Sequence, residues 1–189
     1  MTAQISDSIF YLNEKYSVIA IENEWPFNPV NHGLNPIATS TACYRGYYCE
    51  YSILEEQLVL SKLNIGLNEA NLPILNGVEA KKNKYFKVNH FWEYNMVNLP
   101  VKYSGGIIIG RDFLRKFYVH MGFHRAHCFK FVIELIIKDG KLVQTNDHSK
   151  CMEEVRRIIE SNTFSLDNKD IEKFVEDSFS LSYEKKWYY

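Results

Sequence analysis

The sequence is short of net charge, of long apolar runs and of paired cysteines, and each shortage excludes a class of function. Twenty-two Lys and Arg stand against 23 Asp and Glu, a formal charge of −1, so no long-range field would gather nucleic acid, an anionic membrane surface or a strongly acidic substrate. No apolar run approaches the ~20 residues that span a bilayer. Met1 to Ser8 is polar and has neither the basic nor the apolar region of a secretory leader. Cys43, Cys49, Cys128 and Cys151 form none of the C-x-x-C pairs of zinc or redox motifs. The expectation is a protein of the reducing cytoplasm whose cysteines are mostly buried thiols, with a Cys43–Cys49 pair as the alternative in an oxidising setting.

Catalytic signatures are missing too. No G-x-S-x-G elbow occurs, and although Cys43 could meet His120 or His124 in space, the sequence alone does not bring them together. Ser104-Gly105-Gly106-Ile107-Ile108-Ile109-Gly110 has an Ile run where a phosphate loop needs a turn, so its glycines read as close packing in a strand. Glu55, Glu56, Glu153 and Glu154 fall in a turn or on a polar helix face, as solvated acids do. Cofactors are not called for.

What is present reads as strands followed by helices. Tyr16 to Glu22 is a β-branched run, followed by a turn-rich loop containing Trp25, Phe27 and several prolines. Tyr47, Cys49, Tyr51 and Ile53 share one face, and Leu58 to Leu63 continues as the second arm of a hairpin. Asn68 to Lys84 reads as a surface excursion and Tyr85 to Tyr94 as another strand. Phe129, Phe131, Ile133, Leu135 and Ile137 alternate with Lys130, Val132, Glu134 and Ile136, and Asp139-Gly140 then demands a tight turn. Past Asn146 the period becomes helical. Met152, Val155 and Ile159 face inward, Glu153, Glu154, Arg156 and Arg157 face solvent, and Ser149 or Asp147 caps the start. A second helix is expected after Asp167, burying Ile171, Phe174 and Val175. The expected fold is α+β in one domain, 1–189: a mainly antiparallel sheet over 1–146 with C-terminal helices over 147–189 packed on one face.

His120, His124 and His127 form the one dense cluster of metal-capable side chains. On a helix they would share a face and could hold zinc, the alternative reading being a small metal-dependent hydrolase. Gly122 and the flanking strand pattern instead favour ordinary histidines on a strand and a turn. Lys81 to Lys87 and Lys185 to Tyr189 interleave basic and aromatic residues, but each is short in a chain that is not basic. Neither nucleic acid nor a membrane is the expected partner.

Thr39-Ser40-Thr41-Ala42-Cys43-Tyr44-Arg45-Gly46-Tyr47, with the tyrosine-rich strand after it, resembles a pattern in small uncharacterised bacterial proteins, some of them similar to immunity proteins of toxin systems. Those proteins often carry Trp where Tyr44 stands. The resemblance covers about a quarter of the chain and brings no catalytic residues. It implies a non-enzymatic protein that binds another protein.

Aromatic residues make up 15% of the chain, and Tyr44, Arg45 and Tyr48, with Trp25 and Phe27 of the preceding loop, are the expected contact residues. A guanidinium at Arg45 could be held between ring faces and aimed at a carboxylate or phosphate. Its plain structural role would be to pair with an internal acid and pin the loop to the sheet.

Overall fold

The computed structural model describes residues 2–68, 72–83, 90–161 and 177–183. The strands are β1 Ser8–Tyr11, β2 Glu14–Ile21, β3 Tyr47–Leu54, β4 Gln57–Gly66, β5 Lys81–Lys82, β6 Phe91–Pro100, β7 Gly105–Phe113, β8 Phe129–Lys138 and β9 Lys141–Asp147, with helix α1 at Ser149–Ser161. They form a largely antiparallel sheet in which only β1 and β3 pair in parallel.

Following hydrogen-bonded neighbours from β3 through β1, β2, β7, β8, β9 and β4 leads back to β3, so the sheet closes on itself, and β6 and β5 extend outward from β4. The closing contact between β9 and β4 is the single pair Gln57 and Lys141. Two hairpin turns reinforce it: the Leu58 amide donates to the Gly140 carbonyl at 2.7 Å and the Leu142 amide to the Glu56 carbonyl at 2.7 Å.

Three hairpin turns use a left-handed pair, Leu12-Asn13 (φ 50° and 62°), Glu55-Glu56 (46° and 65°) and Asp139-Gly140 (50° and 82°). Such turns match the right-handed twist of the strands they join. Asp139-Gly140 forms the turn that the sequence indicates, and a side chain at Gly140 would come within 2.3 Å of the Val101 carbonyl oxygen. Glu55-Glu56 adopts the same geometry with no glycine or asparagine to announce it.

The main core joins Ile9, Val18, Leu60, Ile107, Ile109 and Leu135 with neighbours from the same strands, which places it on the inner face of the closed sheet. A second, smaller core lies outside β2, β7 and β8, where Ile19, Ala20, Ile108 and Val132 meet Met152 and Val155 of α1. The middle strand β7 alternates between the two, Ile108 outward and Ile107 and Ile109 inward. Its near-continuous apolar run follows from burial on both sides.

Three expectations need correcting. The C-terminal helices are one helix among the described residues, α1; the second, with Ile171, Phe174 and Val175, lies outside them. Arg156 does not face solvent: it is buried and donates to the Phe129 carbonyl at 2.7 Å, because that face of α1 covers the start of β8. The alternation of β8 does not separate a wet face from a dry one, since Phe129 and Val132 join the outer core with α1 and Glu134 is buried against Asn146 and His148. Met152 and Val155 are buried and Ile159 packs against them, as their spacing indicates. The helix start is tied by the Ser149 amide donating to Asp147 Oδ1 at 2.8 Å. No helix among the described residues is long and apolar enough to cross a membrane.

Candidate binding site

Residues 37–46 connect the turn-rich loop to β3 and are held at both ends by one glycine of β4. The Ile37 amide donates to the Gly66 carbonyl at 2.9 Å, and the Gly66 amide donates to the Gly46 carbonyl at 2.8 Å. Gly46 has φ +80°, and a side chain there would meet the Ile37 carbonyl oxygen at 2.6 Å. Only glycine suits that position on both counts. The N-terminal segment fastens the outer side of the loop: the Ile5 amide donates to the Ala42 carbonyl at 2.8 Å, and the Gln4 side chain donates to the Thr41 carbonyl at 2.7 Å and accepts from the Tyr44 amide at 3.3 Å. On this pinned backbone the Tyr44 side chain stands 80% exposed.

Arg45, the next residue, turns inward. Its guanidinium lies 3.8 Å from the centre of the Trp25 ring and 4.4 Å from that of Tyr47, so two aromatic faces enclose it. Its Nη2 donates to Asp7 Oδ1, its Nη1 to Asp7 Oδ2 at 3.4 Å, and its Nε to the Tyr47 carbonyl at 3.0 Å. The Asp7 side chain is wholly buried and also accepts from the Cys49 amide at 2.7 Å. Burial works most strongly against the charge on Arg45, but attraction to Asp7 and the hydrogen bond to it, with Cys49 and Tyr47 adding to them, together outweigh it and hold the guanidinium more firmly protonated than usual. The carboxylate that this arginine meets is therefore internal, and the ion pair ties the loop to β3.

The neighbouring phenols and thiols stay protonated. Burial pushes Tyr47 up to about 12, with Arg45 opposing, and Tyr48 up to about 12. Burial likewise raises the Cys43 thiol and, further, that of Cys49. Neither is a ready nucleophile. All four cysteines are free, Cys43, Cys49 and Cys128 buried and Cys151 exposed.

The structure thus brings Trp25 and Arg45 together and leaves Tyr44, the residue before Arg45, exposed. Tyr48 is half-buried and leans on Phe91 with ring centres 6.0 Å apart. Phe27 is in the core, 3% exposed and stacked on His32 at 4.8 Å, so its ring has no free surface to offer. Sequence reasoning missed Asp7, although a signal exists: it is the only charged residue before Glu14, set among Ile5, Ile9 and Phe10. It also missed Glu24, which with Trp25, Asn28 and Tyr47 lines an open recess of about 280 Å³. A second recess of about 320 Å³, bounded by Ile21, Asn23 and residues 179–182, shares Trp25 as a wall.

The three histidines do not converge. The Tyr118 hydroxyl and His120 Nδ1 are hydrogen-bonded at 2.7 Å, His124 packs edge-on against Phe113 at 4.7 Å, and His127 meets the Phe117 ring at 5.6 Å. Burial, with Arg125 and Arg156 adding to it, lowers His127 to about 4. Together with Val119, Phe123 and Cys128, His124 and His127 line a small cavity of about 60 Å³ that His120 does not reach. Among the described residues no group of three or more His, Cys, Asp and Glu side chains is placed to hold a metal. The chain matches no protein-family model, no curated protein and no solved structure.

Proposed function

We propose that this chain is a non-enzymatic binding protein whose partner is another protein, met through Tyr44 and the Trp25 edge of the arginine stack. One observation carries the reading: a tyrosine 80% exposed on a loop whose backbone is hydrogen-bonded on both sides. A single exposed ring is ordinary on a protein surface. A ring on a fixed base differs, because its backbone loses little freedom on association and its large face can anchor a contact. Trp25, Tyr44 and Arg45 are also the residue types in which binding energy concentrates. The ion pair with Asp7 gives Arg45 the role of support, and the contact falls to the rings. The resemblance of Thr39 to Tyr47 to immunity-type proteins supplies the partner class, a toxin protein.

The test begins with a partner recovered from the native cell. Tyr44→Ala should weaken its binding by about 2 kcal/mol or more in calorimetry, in the range of measured anchors, with the melting temperature unchanged. Full affinity in a folded Tyr44→Ala variant removes Tyr44 as the anchor of this surface.

A further inference from the structure

The open recess walled by Glu24, Trp25, Asn28 and Tyr47 has a composition of its own. It combines two aromatic rings, one carboxylate and one amide. Glu24 is exposed and forms no ion pair among the described residues. The nearby cation, Arg45, is matched by Asp7 and so adds little net charge. Among the described residues that line the recess, the charge left over is the negative one of Glu24. At about 280 Å³ the recess lies just below the range of small-molecule sites and suits one long side chain.

We infer that this recess receives a lysine side chain of the partner protein, the aliphatic stem lying along the part-exposed Trp25 and the ammonium reaching Glu24. An ammonium is attracted both by the carboxylate and by the negative face of an indole. A lysine stem buries apolar surface while its head stays near water, as an open recess requires. An acidic side chain would meet Glu24 as a like charge. An uncharged one would leave the carboxylate unanswered. The inference rests on the protein-binding reading and names the chemistry of the partner at this edge.

The experiment uses the full chain and two capped tripeptides, one with a central lysine and one with norleucine, followed through the Trp25 indole N–H resonance. The lysine peptide should shift that resonance saturably at about 10 mM, a weak single-residue contact. The norleucine peptide, and the lysine peptide on Glu24→Gln, should each bind about fivefold more weakly, the size of an exposed ion pair. Equal binding of both peptides, an undiminished shift in Glu24→Gln, or no saturable shift at about 50 mM overturns the inference. A recovered partner separates the two readings. If Tyr44→Ala weakens it and Glu24→Lys leaves it at full affinity, the recess is not the lysine site and the protein-binding reading stands. If Glu24→Lys weakens it at least fivefold and Tyr44→Ala does not, the recess stands and the Tyr44 anchor falls.

Discussion

Asp7 and Arg45 lie 38 residues apart in sequence and meet as a two-pronged ion pair, the carboxylate wholly buried and the guanidinium 17% exposed between Trp25 and Tyr47. The pair connects the segment before β1, the turn-rich loop and the start of β3. Its removal should be felt in stability before it is felt anywhere else.

Arg45→Ala leaves the Asp7 carboxylate buried without its counter-charge, which typically costs about 3 kcal/mol or more. For a chain of this size that corresponds to a fall of about 6 °C or more in melting temperature. Replacing both residues together, Asp7→Leu with Arg45→Met, should cost less than the two single changes added, because neither charge is then stranded. Urea unfolding of Arg45→Ala and of the four proteins in the Asp7→Leu and Arg45→Met cycle checks both statements, and strict additivity would contradict the pairing.

Gly140→Val should destabilise the fold by about 2 kcal/mol or more. A β-branched residue is strained at φ 82°, and the new side chain would press on the Val101 carbonyl oxygen where the sheet closes. Chemical denaturation that finds the variant as stable as the parent would contradict the assigned turn.

His127 is kept neutral in the folded chain, its value lowered to about 4 by burial and then by Arg125 and Arg156. The unfolded chain takes up that proton near pH 6.5. The unfolded state therefore binds more protons between about pH 6.5 and pH 4, and stability falls as pH falls through that window. Between pH 8 and pH 5 the loss due to this one residue should be about 2 kcal/mol. In His127→Gln that part of the pH dependence should vanish, as comparison of the two proteins' unfolding free energies at both pH values will show.

Thiol labelling should divide the cysteines. Cys151 is exposed on α1, whereas Cys43, Cys49 and Cys128 are buried. Iodoacetamide under native conditions should add one group, located at Cys151 by mass spectrometry, and the other three should react only in denaturant. Rapid native labelling of Cys49 would place the Asp7 and Arg45 cluster nearer the surface than it stands.

The hairpins were legible because each is a local event. Alternation in Tyr47 to Ile53 and the Asp139-Gly140 pair report on residues a few positions apart, and β3, β4, β8 and β9 form where that pattern puts them. Closure of the sheet was not legible, since it depends on β1 lying parallel to β3 and on Gln57 finding Lys141, pairings between remote segments that leave no period in the sequence. Burial on both faces was legible in the Ile run of β7, which reads as a buried central strand, but not in β8, whose alternation gives no sign that α1 covers its second face. The site was half legible. Arg45 among tyrosines suggested a guanidinium between rings, but one of those rings, Trp25, and the acid that holds it come from elsewhere in the chain.

One junction bears on how this chain acquires its structure. The Gln4 amide donates to the Gly122 carbonyl at 2.8 Å, the Gly122 amide to the Thr2 carbonyl at 3.2 Å, and the Phe123 amide to the Ser178 carbonyl at 2.7 Å. Residues near opposite ends of the described chain thus converge on two consecutive residues of the histidine-bearing loop. Contacts of such long sequence separation are entropically costly to close and form slowly. The bonds of Gly122 and Phe123 can close only after both remote segments have arrived, so contact order places this junction among the later parts of the molecule to become ordered, after the local hairpins on which the sheet is built.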